Sequence, residues 1–311
     1  MKVRDFGEEA LIAAFAEIYR VRSGVELGIG DDGAIVRNQT PRTVISTDIA
    51  SEGVHFNRLW STPTDIGAKI TIANLADIFA MGGTPRFLTV AISASGDEEV
   101  SYLLDIARGI ESVAALLDVS IIGGDVVAGS VLTISITAFG EIEKPILRSG
   151  AQVGDVLFLT RGTGRSLGGL LLLSKGLADS AAPEVKVFQR PDFHPEELQN
   201  FGLENISALM DVSDGLISDL SKIATASSVC IDLQIDSAQL QYLQTYAMKT
   251  GVPELELFLR SGEEHSFIVV IPEEFVAKVP VTWIKLGHVM AGAGLTHHGG
   301  QLEITKDSWH W

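Results

Sequence analysis

A single cysteine stands among the 311 residues, so no disulfide can form within the chain. Cys230 lies in the apolar run Val229-Cys230-Ile231 and reads as a buried bystander, which permits a reducing compartment. Basic residues are also scarce. Lys and Arg number 23 against 40 Asp and Glu, a formal net charge of -17. That balance argues against nucleic acid as a partner, because phosphate backbones are gripped by clustered Lys and Arg. An acidic membrane surface would repel the chain as well. No apolar run approaches the roughly 20 residues that span a bilayer, and Met1-Lys2-Val3-Arg4-Asp5 offers no apolar signal core. The expectation is a cytoplasmic protein with no nucleic-acid or membrane partner. Nor does the sequence contain a G-x-x-x-x-G-K-[ST] phosphate loop. What it does contain is apolar material: 46% of residues are hydrophobic, enough for two moderate cores, and two domains are expected.

Periodicity gives both halves an α/β character. Leu11, Ile12, Phe15, Ile18 and Tyr19 recur at helical spacing, with Glu8 and Glu9 where the positive helix start favours acids. Short β-branched runs at 34–36 and 43–47 read as strands, and 64–81 reads as a helix closed by Gly82-Gly83. A strand at 87–93, a helix at 98–117 and strands near 120 and over 131–139 continue the alternation. The polar stretch 141–150, with Pro145 and Gly150, is where the chain divides into domains 1–143 and 144–311. The second half restarts with a strand at 155–160 and a helix at 167–175. A Pro-containing connection follows over 180–197, then strands at 208–212 and 229–233 around a helix at 216–226.

Acidic residues recur beside small ones at the ends of these elements: Gly30-Asp31-Asp32-Gly33, Thr47-Asp48, Asn74-Leu75-Ala76-Asp77, Gly123-Gly124-Asp125 and Asp211-Val212-Ser213-Asp214-Gly215. Glycine beside a carboxylate lets the backbone approach a ligand closely, and strand ends in α/β sheets are where ligands collect. Convergent carboxylates without a basic partner nearby in sequence repel one another unless a cation sits among them. Magnesium, a hard ion that shares oxygen ligands with phosphates, is the natural candidate. The plain alternative for any one aspartate is a helix cap or a turn. Two glycine patterns compete for attention. Gly28-Ile29-Gly30-Asp31-Asp32-Gly33 fits G-x-G-x-x-G but precedes a strand-like run, and its aspartates would face a pyrophosphate. Gly162-Thr163-Gly164-Arg165-Ser166-Leu167-Gly168 lies between a strand and a helix whose start could receive an anion, or it is a tightly packed turn.

In combination these blocks resemble a known family. Gly28 to Ala34, Ser46-Thr47-Asp48 with Glu52-Gly53-Val54-His55-Phe56, and Lys69 to Pro85 are similar in order and spacing to the N-terminal half of the thiamine-monophosphate kinase family. Ile122-Gly123-Gly124-Asp125, Arg148-Ser149-Gly150-Ala151 and Met210 to Leu216 ahead of Ser218-Asp219-Leu220 extend the likeness to about residue 267. The resemblance implies a two-domain α/β (α+β) fold of the aminoimidazole-ribonucleotide-synthetase-like type. Its N-terminal domain would be a mixed-sheet domain that binds ATP and metal and dimerises; its C-terminal domain would be α/β. It implies a homodimer and direct transfer of the γ-phosphoryl of ATP to thiamine monophosphate, with several magnesium ions and no covalent nucleophile. On the same likeness Asp32, Ser46, Thr47, Asp48, Asp77, Asp125, Asp211 and Asp214 are metal ligands. Gly124, Asp125, Arg148 and Ser213 meet ATP, while His55, Glu263 and Trp311 hold the substrate.

The sequence departs from the family pattern in two places, and one is the segment between Lys175 and Ala208, which lacks a clear match to the family's Pro-rich stretch. Where the family carries Gly-Gly-Glu-Asp-Tyr-Glu-Leu, this chain has Ser261-Gly262-Glu263-Glu264-His265-Ser266-Phe267. A nucleotide-binding homologue without catalysis is therefore the competing reading, and the same superfamily also contains ATP-dependent enzymes with other acceptors. Selenophosphate synthetase and the hydrogenase-maturation protein of that superfamily depend on cysteines or selenocysteine that a lone Cys230 does not supply.

Overall fold

In the sheet of the first half, alternation of buried and half-buried residues is clearest in one strand. In the computed structural model, which describes residues 1–29, 33–38 and 40–301, a short ribbon of β1 (Val25–Leu27) and β2 (Ile35–Val36) precedes the main strands. These are β3 (Thr43–Ser51), β4 (Thr84–Ala94), β5 (Ser120–Ala128) and β6 (Thr133–Glu141), which pair in the order β3-β6-β4-β5. β6 buries Ile134, Ile136 and Ala138 and turns the intervening residues to the other face, the period-2 pattern of a half-covered strand. β4 runs parallel to β5 and antiparallel to β6, so the sheet is mixed.

Helices cover one face of that sheet. After α1 (Val3–Phe6) and α2 (Glu8–Ile18) come the long helices α3 (Pro63–Ala80) and α4 (Val100–Leu116). Leu103, Ile106, Ile110 and Val113 of α4 are buried at helical spacing. Glycines let α3 and α4 touch backbone to backbone: a Cβ on Gly67 would meet Ile106 O at 2.1 Å, and one on Gly109 would meet Thr64 O at 2.1 Å. The opposite face of the sheet stays open at Ile45, Ile49, Ala91 and Val127.

The second half builds its core from continuous apolar strands. Among the described residues β7 (Val156–Leu159), β8 (Ala208–Asp211), β9 (Cys230–Leu233), β10 (Phe267–Ile271), β11 (Ile284–Met290), β12 (Gly294–His297) and β13 (Gly300–Gln301) pair in the order β13-β12-β9-β11-β7-β10-β8. Every residue of β7, β8 and β10 is buried, as expected of strands covered on both faces. Around them lie α5 (Arg165–Ser174), α6 (Lys186–Gln189), α7 (Glu196–Phe201), α8 (Leu216–Ser227), α9 (Gln244–Thr250) and α10 (Glu254–Arg260). The structure divides into two compact units, Met1–Phe79 with Gly83–Glu143, and Ala80–Gly82 with the residues from Lys144 onward. The 141–150 stretch is not a loose polar link. Ile142 and Ile146 are buried, and the Ile146 N–H donates to Met81 O at 2.9 Å. Among the described residues no helix is long and apolar enough to cross a membrane.

Candidate active site

In the first unit the site residues gather on β3, on α3 and on β5. Strand alternation turns Ser46 and Asp48 to one side of β3 and Thr47 to the other. Ser46 Oγ donates to Asp77 Oδ2 on α3 at 2.5 Å. β3 is an edge strand, and its outward Asp48 N–H is taken up by the buried Asn74 of α3, whose Oδ1 accepts it at 3.1 Å. Thr47 faces the open side, donating to Ile136 O at 2.9 Å and pairing with Thr137 Oγ1 at 2.8 Å. Register places Asp125 on that same open face, across from Ala91 of β4. Its carboxylate is exposed and accepts the Val126 N–H at 2.9 Å.

Gly124 lies against the backbone of β4, in register with Val90. A Cβ there would sit 1.8 Å from Val90 O. The backbone at 123–126 also walls a small, mostly apolar pocket with Ile12, Phe15, Tyr19, Val90 and Ile92. Tyr19 is buried there and its hydroxyl finds no hydrogen-bond partner among the described residues. Burial, with the Glu111 charge adding, lifts that hydroxyl above the ordinary tyrosine range. The sequence reading took Tyr19 only as a core position. Past β3, His55 sits in a turn in which the Ser51 N–H donates to His55 Nδ1 at 3.2 Å, which leaves the proton of a neutral ring on Nε2.

The second unit collects its acids at the end of β8. Asp211 is buried and bonds to His265 Nδ1 at 3.0 Å. Asp219 at the start of α8 is fully buried, and its Oδ2 accepts the Ser213 and Asp214 N–H groups at 3.0 and 3.1 Å. Lys222, one turn further on, bridges Asp219 at 2.7 Å and Asp214 at 2.5 Å. Burial pushes the Asp219 carboxyl up to about 7; Lys222 opposes that rise, and Asp211 and Asp214 add to it. No basic residue adjoins Asp211 or Asp214 in sequence, and the structure supplies partners from further along the chain, Lys222 for Asp214 and His265 for Asp211. The Asp219-to-Lys222 spacing on one helix face is the available signal for the first.

The glycine-rich turn before α5 resolves in favour of packing. Gly162, Gly164 and Gly168 sit against Tyr242, Leu243 and Tyr246, with a Cβ at each meeting those side chains at 2.4, 2.6 and 2.3 Å. The helix start does hold a carboxyl group, but it is the chain's own: Glu264 Oε1 accepts the Gly164 and Ser166 N–H groups at 2.7 and 2.9 Å. Glu263, next to it, donates its N–H to Ser213 O at 2.8 Å. Arg148 has an exposed side chain, and its carbonyl accepts Ser227 Oγ at 2.9 Å. Asp32 and Trp311 lie outside the described residues.

The donor chemistry suits magnesium. Ser46, Thr47, Asp48, Asp77 and Asp125 offer oxygen alone, and Ser46 Oγ and Asp77 Oδ2 already stand within one hydrogen bond of each other. Among the described residues no three His, Cys, Asp or Glu side chains stand close enough to hold one ion. In the second unit Asp211 and Asp214 have internal partners that a metal would have to share or displace.

Comparison with known proteins covers both units. The family of AIR synthase related protein, N-terminal domain, matches residues 30–142, and the corresponding C-terminal domain matches 152–296. Thiamine-monophosphate kinase of Mycobacterium tuberculosis (strain ATCC 25618 / H37Rv) is 35% identical over 296 residues, 93% of this chain and 87% of that one. The enzyme of the same name from Aquifex aeolicus (strain VF5) is 28% identical over 307 residues, 97% of this chain and 98% of that one. The structure of AaThiL complexed with AMPPCP and TMP matches with a TM-score of 0.79 and 27% identity, covering 99% of this chain and 98% of that one. With AIR-synthase-type domains in both halves and a relative 35% identical across nearly its whole length, the chain belongs to the thiamine-monophosphate kinase family.

Proposed function

We propose that this protein is an ATP-dependent kinase that transfers the γ-phosphoryl group of ATP to the phosphate of thiamine monophosphate. A phosphate oxygen of thiamine monophosphate bonds to the γ-phosphorus as the bond to the β–γ bridging oxygen breaks, and thiamine diphosphate and ADP leave. The observation that carries this reading is the similarity, over nearly the whole of both chains, to AaThiL, whose structure holds AMPPCP and TMP. The absence of a phosphate loop is consistent with it, because in phosphoryl transfer positioning and charge stabilisation do most of the work.

Magnesium bound to this chain would supply positive charge between the carboxylates and the phosphates. In the first unit Ser46, Asp48 and Asp77 on one side of the sheet, and Thr47 and Asp125 on the other, are assigned to magnesium ions; Asp211 and Asp214 of the second unit, and Asp32, carry the same assignment. Gly124, Asp125, Arg148 and Ser213 are assigned to ATP. His55, Glu263 and Trp311 are assigned to thiamine monophosphate; the Nε2–H tautomer that Ser51 imposes on His55 gives a donor suited to a phosphate oxygen. The protein acts as a cytoplasmic homodimer.

The test is an assay of purified protein with ATP, magnesium and thiamine monophosphate, read as thiamine diphosphate formed at the expense of ATP. Product is expected, and Asp125→Asn is expected to abolish turnover while the protein stays folded, since the change keeps shape and removes a charge. ATP binding without product would establish the non-catalytic homologue instead.

A further inference from the structure

We infer that Glu264 and Ser261 are positioning residues: they lock the 261–266 loop onto the start of α5 and thereby hold Glu263 and the Ser213–Asp214 segment in register. The inference rests on the proposed function, which assigns Glu263 to the substrate and Ser213 to ATP. It begins from the unmet N–H groups that every helix start leaves behind. At α5 three such donors are satisfied by residues about a hundred positions along the chain. Glu264 Oε1 accepts from Gly164 N at 2.7 Å and Ser166 N at 2.9 Å, and Ser261 Oγ accepts from Leu167 N at 2.9 Å. Ser261 Oγ also donates to Glu264 Oε1 at 2.6 Å, so the two side chains form one buried unit.

The backbone on either side of Glu264 is bent to suit. Glu263 and His265 have φ of 54° and 51°, left-handed conformations uncommon for residues with a side chain. With Glu264 turned toward α5, its neighbours present their N–H groups to the segment after β8: Glu263 N donates to Ser213 O at 2.8 Å and His265 N to Val212 O at 2.9 Å. The loop is thus clipped on two sides, and α5 is the anchor that keeps the two strained residues in place. Without the anchor the strained backbone can relax, and Glu263 and the carbonyl of Ser213 move together.

The experiment compares Ser261→Ala, Glu264→Asp and Glu264→Gln with the wild type, varying ATP and thiamine monophosphate separately. Glu264→Asp shortens the reach by one methylene, whereas Glu264→Gln keeps length and an acceptor oxygen. We expect kcat/KM to fall about 10- to 100-fold in Ser261→Ala and Glu264→Asp through higher KM for both substrates, because misplacements near 1 Å cost that much. Glu264→Gln is expected to recover most of the loss. A merely structural role would reduce the amount of active enzyme and so lower kcat with KM unchanged; that result, or wild-type KM values in a folded Ser261→Ala, overturns the inference. A wild-type protein that makes no thiamine diphosphate would sink the proposed function instead, and is seen before any variant is compared.

Discussion

Two adjacent glycines on β5 stand in opposite steric situations, and alanine at each tests how closely β4 and β5 approach. At Gly124 a Cβ would lie 1.8 Å from Val90 O, 2.7 Å from Val90 C and 3.1 Å from Val90 N. A carbon–oxygen contact is comfortable at about 3.3 Å, so about 1.5 Å must be found between the strands. Val90 and Gly124 are in register, and β5 lies at the edge of its sheet, so β5 is the strand that yields. Overpacking of this kind costs about 1–3 kcal/mol, and one weakened ladder bond adds about 0.5–1.5 kcal/mol. Restricting the unfolded chain returns about 0.4–1 kcal/mol. Gly124→Ala should therefore destabilise by about 0.5–4 kcal/mol, with a central value of about 2 kcal/mol. At Gly123 a Cβ meets nothing within 4 Å, and the backbone is not left-handed. Gly123→Ala should leave stability unchanged or raise it by up to about 1 kcal/mol. Urea and thermal melts of the two variants against the wild type measure this. Equal destabilisation at both positions, or a milder effect at Gly124, would refute the strand contact.

Asp219 makes stability depend on pH. Its folded value of about 7 lies above the ordinary 3.8, so the folded chain holds an extra proton between those values and loses stability as pH rises through that window. The slope is at most about 1.4 kcal/mol per pH unit, and Asp219→Asn should remove it; parallel profiles for the two proteins in urea titrations at pH 5.5, 6.5 and 7.5 would refute the assignment. The open face of the β3-β6-β4-β5 sheet bears on assembly, with Ile45 59% and Ile49 56% exposed on β3. If a second copy covers it, Ile49→Lys should shift the protein from dimer to monomer in sedimentation velocity, and an unchanged dimer would place the interface elsewhere.

Local periodicity carried the sequence reading where an element is half-covered. Leu11 and Phe15 mark the buried stripe of α2, and Ile134, Ile136 and Ala138 that of β6, each by spacing alone. Short strands on the far side of the second sheet, such as Gly294–His297 and Gly300–Gln301, have too little pattern to announce themselves and are defined by pairing. Side-chain partners divide the same way. Lys222 lies three positions beyond Asp219 and could be read from a helical wheel. Glu264 capping Gly164 spans 100 residues, and no local rule reaches that far. The same limit left the glycine-rich turn open between an anion site and packing. The answer depended on Tyr242, Leu243, Tyr246 and Glu264, none of them near it in sequence.

With a charge of -17, the protein must house many carboxylates, and how each is housed separates structural from chemical roles. Asp219 accepts two backbone N–H groups and a lysine; Glu264 accepts two N–H groups and a hydroxyl; Asp232 accepts Thr296 Oγ1 at 2.6 Å and Gly299 N at 2.9 Å. Lone pairs filled in this way offer a cation little, and breaking such bonds in a buried site costs more than in water. Asp125 is built differently. It lies exposed on an open sheet face, accepts only its neighbour's N–H among the bonds described, and follows a glycine that has no room for a side chain. A carboxylate with lone pairs still facing solvent can take a hard cation without first surrendering an internal bond, and for that reason the proposed magnesium binding should depend on Asp125 more than on Asp211 or Asp214.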